Sequence, residues 1–86
     1  MISVSGKTRA QKHDEAIALR VEAAKAERDR LFEGTRWRME RHTEEIALGK
    51  TPSEDLIPLL QYRETLRNIT SDPAFPDMEW PEVPGL

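Results

Sequence analysis

The stretch from Ala10 to Phe32 constrains the fold most strongly. It contains neither glycine nor proline, and Ala, Glu, Arg, Lys and Leu dominate it. These residues are the strongest helix formers because their side chains lose little freedom in a helix. Oppositely charged residues recur three positions apart, as in Glu27 and Arg30, which is typical of a solvated helix surface. The sequence therefore predicts one long N-terminal helix.

The apolar stripe of this helix is thin. Ile17, Val21, Ala24 and Leu31 follow helical spacing, but Arg28 occupies the next place on the same seam. A coiled coil requires three or more clean heptads. The pattern indicates a helix that depends on a partner rather than a free-standing coiled coil.

Glycine residues delimit a second helix. Gly34 interrupts the first pattern, and whether the helix continues through it is left open by the sequence. Thr35 is a candidate cap for a second helix over residues 36–48. Gly49 is a natural stop, because glycine readily adopts the left-handed conformation that follows many helices.

A third helix follows a capping signal. Residues 51–54 have the form of a capping box, with Thr51 at the cap and Glu54 reaching back to it. Pro58 complicates this start, since an interior proline removes a backbone hydrogen bond. Either the first turn is separate, or the regular helix begins near Leu56. The apolar stripe of the third helix comprises Leu56, Leu59, Leu60, Tyr62, Leu66 and Ile69.

Four of the six prolines lie in the last fifteen residues. Proline fixes φ and biases the preceding residue to extended backbone. We therefore predict an all-α fold with a long N-terminal helix, a helical hairpin-like middle and an extended Pro/Trp-rich C-terminal tail. Residues 1–9 form a flexible lead-in, 10–71 the helical domain and 72–86 the tail.

Several functional classes are disfavoured by the sequence. The 86 residues allow one domain, and the absence of cysteine excludes a disulfide framework and a Cys-based zinc site. His13 and His42 lack ligand-like spacing. No run approaches the roughly 18 apolar residues of a membrane span, and the acidic pairs are more simply solvated helix residues than catalytic carboxylates. We expect no enzyme, no cofactor, no metal and no membrane insertion.

The charge distribution argues against nucleic-acid binding. Residues 1–13 carry +3, residues 14–71 carry −2 and residues 72–86 carry −4, giving a net charge of −3. Nucleic-acid binding usually requires a concentrated basic face. The basic start is more simply a solvated terminus.

Two groups of residues are candidates for partner binding. Phe75 and Trp80 lie five residues apart in the acidic tail, and rigid aromatic anchors dominate interface energetics. These two side chains are therefore candidates to dock on a partner. The alternative, which we weigh equally, is that the tail folds back and covers the protein's own helices. Arg63 and Arg67 lie one helical turn apart. They form either a solvated basic edge, which we favour, or a guanidinium pair that grips a partner.

Short segments in a fixed order carry a family resemblance. They are residues 27–32, Thr35-Arg36-Trp37, residues 61–70, Phe75-Pro76 and Trp80-Pro81. The chain resembles the phage tail assembly chaperone family, whose members read R-D-x-L-L, T-D-W, Y-R-x-A-L-R-D-I, F-P and W-P in that order. A related pattern closes the tail-fibre assembly proteins. Two positions depart from the pattern, since Arg36 and Asn68 stand where the family has acidic residues.

The resemblance implies a non-enzymatic chaperone that binds and protects a phage tail or tail-fibre protein in the host bacterial cytoplasm, and an oligomer is compatible with it. We predict that the partner-binding residues are Trp37, Tyr62, Arg63, Arg67, Phe75, Pro76, Trp80 and Pro81. One alternative is a permanent adaptor retained in the virion tail. The other is a small nucleic-acid-binding regulator that uses residues 7–12 with Arg36, Arg38 and Arg41.

Overall fold

The computed structural model describes residues 9–85, which form three α-helices and one short 3-10 helix. Their bounds are Arg9–Glu33 (α1), Arg36–Ala47 (α2), Leu56–Arg67 (α3) and Ile69–Ser71 (the 3-10 helix). These described residues contain no strand, so the helical fold class is confirmed. Apart from Arg9, which begins α1, the predicted lead-in over residues 1–9 lies outside the described residues.

The chain does not continue as one helix through Gly34. The Gly34 N–H donates to the carbonyl of Arg30 at 2.9 Å, and a Cβ atom at Gly34 would lie 3.2 Å from that same oxygen. Glycine therefore suits this close backbone approach. Thr35 is the N-cap residue of α2, as predicted, but its side chain makes no capping hydrogen bond. Its Oγ1 instead donates to the carbonyl of Phe32 at 2.8 Å.

α2 ends as its glycine predicts. Gly49 has φ +71° and is the only described residue with a positive φ. Its N–H donates to the carbonyl of Ile46 at 3.0 Å, and the N–H of Lys50 donates to the carbonyl of Glu45 at 2.8 Å. This pair of bonds is the Schellman arrangement, which satisfies carbonyls that would otherwise lack partners at a helix end.

The capping box predicted at Thr51 is wrong, and the alternative start near Leu56 is confirmed. The N-cap of α3 is Asp55, whose Oδ1 accepts a hydrogen bond from the Ile57 N–H at 2.9 Å. Pro58 then falls in the first turn, where a backbone N–H has no intrahelical acceptor, so its missing donor costs nothing. Glu54 is free of any capping role and binds two arginines described below.

This correction yields a direct prediction. Asp55→Ala should lower the free energy of unfolding by about 0.5–2 kcal/mol, the usual cost of losing a cap acceptor. Thr51→Ala is the matched control and should change it by less than about 0.5 kcal/mol, as exposed substitutions usually do. Urea unfolding of the two variants followed by circular dichroism makes the comparison. A larger loss for Thr51→Ala than for Asp55→Ala would restore the capping box.

The core lies where α3 packs on the second half of α1. Leu59 and Leu66 are fully enclosed and Tyr62 is 5% exposed. The side chains packed against them are Leu31, Phe32, Met39, Leu56 and Trp80. α3 makes its main contacts with α1 rather than with α2, so the predicted hairpin-like pairing of the middle helices is not the principal contact. Before Val21, every described side chain of α1 except Ile17 is exposed.

The predicted extended tail over residues 72–86 is not confirmed. The Phe75 N–H donates to the carbonyl of Asp72 at 2.9 Å, and the Asp77 N–H donates to the carbonyl of Ala74 at 2.7 Å. Tight turns therefore follow the 3-10 helix. Residues 79–85 have no regular secondary structure, and Leu86 lies outside the described residues.

Candidate protein-binding surface

The C-terminal segment lies against the protein's own helices. Met78 is buried, and the half-buried Trp80 packs on the core cluster of α3. Pro76, Asp77 and Trp80 line a shallow cleft together with the side of α1 that carries Arg20 and Ala24. Of the two predicted positions for Trp80, the one on the protein's own helices is therefore occupied.

Phe75, Pro76 and Pro81 are also half-buried. The peptide bond between Phe75 and Pro76 is cis, and Asp77 forms an exposed ion pair with Arg20 of α1 at 3.5 Å. Such exposed pairs contribute little stability. The apolar side chains of this segment thus contribute more to its attachment than its charges do.

Arg63 holds the junction between α1 and α2. Its Nη1 donates to the carbonyl of Phe32 at 2.9 Å and to Oγ1 of Thr35 at 2.5 Å. The guanidinium also lies 3.7 Å from the centroid of the Phe32 ring, a cation–π contact. Burial, with the nearby cations Arg67 and Arg36, lowers the pKa of Arg63, although an arginine stays protonated in proteins. Arg63 therefore binds groups of its own chain, whereas the sequence predicted a solvated edge or a contact with a partner.

Arg67 is more open. It forms an exposed ion pair with Glu64 at 2.5 Å, and its guanidinium lies 5.3 Å from the Phe32 ring centroid. Arg63 and Arg67 therefore share one aromatic ring but differ in burial. Only Arg67 presents an exposed side chain to solvent.

A buried ion pair joins α2, the loop before α3 and the C-terminal segment. Nε and Nη2 of Arg38 donate to the two carboxylate oxygens of Glu54 at 2.9 and 2.7 Å. The side chains are only 6% and 8% exposed. The same guanidinium donates to the carbonyls of Pro84 at 2.7 Å and Gly85 at 3.3 Å. Arg38 thereby ties the end of the described chain to the start of α3.

Arg41 completes this network. Its Nη2 donates to Glu54 at 2.8 Å, so one carboxylate accepts from two guanidinium groups. Nε of Arg41 is buried without a hydrogen-bond acceptor, and a carboxylate oxygen of Glu45 lies 3.9 Å away. Glu45 is engaged instead with the backbone N–H and hydroxyl of Ser53.

Trp37 lies next to this network and remains exposed. Half of its surface is accessible, and the guanidinium of Arg41 lies 5.0 Å from its ring centroid. Because Arg41 is itself held by Glu54, the indole is supported on one side and open on the other. Among the eight predicted partner-binding residues, Trp37 and Arg67 are exposed, Tyr62 is buried and the others are half-buried.

The Arg38–Glu54 pair was missed by the sequence reasoning. The two residues are 16 positions apart and belong to different elements, so no helical spacing links them. The sequence places Arg38 only in the alternative nucleic-acid site, and it places Glu54 in the capping box or on a solvated helix surface. The sole sequence signal was Pro58, which displaced the helix start and left Glu54 without a role.

The network predicts acid sensitivity. Hydrogen bonds from Arg38 lower the pKa of Glu54, whereas an unfolded chain has a Glu pKa of about 4.3. The stabilisation is therefore complete above about pH 4.3 and is lost as the pH falls through the folded-state pKa. Between pH 6 and pH 3, Glu54→Gln should lose less thermal stability than wild type.

The matched control for this prediction is Glu79→Gln, because Glu79 is exposed. It should follow the wild-type dependence on pH. Arg30, Ser53 and Asn68 also lower the pKa of Glu27, Glu45 and Glu64 respectively, so Glu54→Gln should reduce the acid loss without abolishing it. An equal fall in melting temperature between pH 6 and pH 3 for Glu54→Gln and wild type would contradict the stabilising role of the Glu54 carboxylate.

The part of the chain that the structure describes holds no group of three or more His, Cys, Asp or Glu residues arranged to bind a metal ion. Within that same part, no helix has the length and apolarity required to cross a membrane.

Comparison with known proteins relates the chain to a protein family. The sequence model of the family described as phage tail assembly chaperone protein matches residues 21–85. No curated protein and no solved structure matches the chain. The matched region begins within α1 and contains α2, α3 and the segment held by Arg38.

Proposed function

The chain belongs to the phage tail assembly chaperone family, and on that premise we propose that it binds a tail or tail-fibre protein and shields it until assembly. The match over residues 21–85 carries this proposal. The family indicates a non-enzymatic role, and the host bacterial cytoplasm is the expected place of action.

We propose Trp37 as the principal anchor for the partner. An exposed tryptophan supported by Arg41 can bury its free face with little loss of side-chain freedom, which favours binding. Arg67 is the second exposed candidate. Trp80, Tyr62 and Arg63 stabilise the fold that presents these two residues, since their contacts are with the protein's own helices. Phe75, Pro76 and Pro81 remain candidates at its edge.

The proposal is tested by co-purification. A tagged form of the chain is expressed during infection or together with the tail genes of its phage. It should retain a tail or tail-fibre protein. Purified virions should lack the chain if it leaves after assembly. Its presence in virions at fixed stoichiometry would favour the alternative, a permanent adaptor. Failure to retain any tail protein would contradict both.

The geometry does not favour a nucleic-acid role. Arg38 is 5% exposed and is shared between Glu54 and two carbonyl groups, while Arg41 also pairs with Glu54. Arg36 forms an ion pair with Glu33 at 2.5 Å. Of the proposed stretch 7–12, residues 7 and 8 lie outside the described residues. Arg36, Arg38 and Arg41 are thus already paired with acids, which weakens the case for phosphate contacts.

A further inference from the structure

The apolar side of α3 is wider than the core requires. Leu59, Tyr62 and Leu66 are buried, yet Ile57 is 56% exposed and Leu60 is 41% exposed. Residues three positions apart are neighbours on a helix surface, so Ile57 and Leu60 form one outward patch. The sequence places Leu60 on the apolar stripe of the third helix, and in the structure Leu60 lies at the solvent-exposed edge of that stripe.

The C-terminal segment brings a further apolar side chain towards this end of α3. Val83 is 53% exposed and directly precedes Pro84. The carbonyl of Pro84 accepts a hydrogen bond from Arg38, which also binds Glu54, three residues before Ile57. We call Ile57, Leu60 and Val83 the α3 patch.

The segments of the chain that carry the α3 patch are acidic. Residues 54–85 contain seven acidic and two basic residues, a net charge of −5. Glu54 is neutralised by Arg38 and Arg41, but Asp55, Glu79 and Glu82 are exposed and pair with no basic side chain of the described chain. A partner that covers the patch must therefore bring apolar side chains together with positive charge, since like charges facing each other weaken binding.

Resting on the proposed function, we propose that the α3 patch binds a basic amphipathic helix of the tail protein. The apolar side of that helix covers Ile57 and Leu60, and its lysines or arginines face Asp55, Glu79 and Glu82. Such helix-on-surface recognition uses anchors at helical spacing. The charges increase the association rate and reject acidic segments, while the apolar contacts supply affinity.

Two designed peptides test the chemistry. Each has about 18 residues, five helical turns, with leucine at helical spacing and either lysine or glutamate at all other positions. Fluorescence anisotropy with the intact protein should show the Leu/Lys peptide binding at least about tenfold more tightly than the Leu/Glu peptide, a difference of about 1.4 kcal/mol. Equal affinities would overturn the proposal.

Surface variants locate the site. Ile57→Ser/Leu60→Ser should weaken Leu/Lys binding at least about tenfold. Leu19→Ser is the matched control, because Leu19 is 72% exposed on α1, and it should leave binding unchanged. If Ile57→Ser/Leu60→Ser and the control Leu19→Ser bind the Leu/Lys peptide equally tightly, the binding site is elsewhere and the proposal is overturned. If wild type sediments as a dimer that Ile57→Ser/Leu60→Ser dissociates, a second copy occupies the patch and the proposal is overturned.

Failure of this inference is distinguishable from failure of the proposed function. A tail protein that co-purifies equally with wild type and with Ile57→Ser/Leu60→Ser would leave the chaperone role intact and exclude the patch. Absence of any tail protein with wild type would remove the chaperone role itself. Circular dichroism of each variant establishes that it is folded before binding is compared.

Discussion

Arg38→Met should lower the free energy of unfolding by about 3 kcal/mol. Removing one partner of a buried ion pair typically costs about 3–5 kcal/mol, because the remaining charge is left buried. The expected loss lies at the lower end of this range, since Arg41 still donates to Glu54. The substitution also removes the donor to the carbonyls of Pro84 and Gly85. Urea unfolding monitored by circular dichroism measures the change.

Two controls accompany this variant. Arg36→Met removes an exposed pair with Glu33 and should cost less than about 1 kcal/mol. The double variant Arg38→Met/Glu54→Met should be more stable than Arg38→Met alone, because it removes the buried Glu54 carboxylate, which Arg38→Met leaves with Arg41 as its one remaining cationic partner. A loss no larger for Arg38→Met than for Arg36→Met would mean that the pair does not hold the fold together.

Trp37→Ala should weaken binding of the tail protein about thirtyfold, which corresponds to about 2 kcal/mol, the usual threshold for an interface anchor. Its stability should change little, since half of Trp37 is already exposed and it lies outside the core cluster. Isothermal titration with the co-purified tail protein measures the affinity. Unchanged affinity in the folded variant would remove Trp37 from the interface.

Trp80→Ala provides the contrast within the same chain. Trp80 packs on the core, so its truncation should reduce stability by about 2–3 kcal/mol, somewhat less than the full cost for a completely buried tryptophan. Any loss of tail-protein binding should then disappear at a temperature where the variant is fully folded. The two tryptophans thus separate a contact with the partner from a contact within the fold.

Much of the helical layout could be predicted because it depends on local chemistry. The dense helix formers of α1, the break at Gly34 and the stop at Gly49 all act through residues adjacent in sequence. Pro58 was equally informative, since its effect on the preceding turn is local and indicated the start near Leu56. The order of the short motifs predicted the family, which the match over residues 21–85 confirms.

The site could be predicted only in part, since its contacts join distant residues. Arg63 reaches Phe32 across 31 positions and Arg38 reaches Pro84 across 46. Contacts between residues so far apart in sequence produce no periodic pattern from which they could be predicted. Trp80 in the tail had two equally weighted positions, and only the packing of α1 against α3 creates the surface that receives it. Exposure likewise separates Trp37 from Tyr62, although both lie in motifs of the same family pattern.

The most direct test of the chaperone role is the solubility of the tail protein. The tail or tail-fibre protein that co-purifies should be expressed alone, with wild-type chain and with Trp37→Ala, and its soluble fraction measured after centrifugation. We predict that most of it is insoluble alone, soluble with wild type and again largely insoluble with Trp37→Ala. A soluble fraction that does not depend on the presence of this chain would contradict the proposed role.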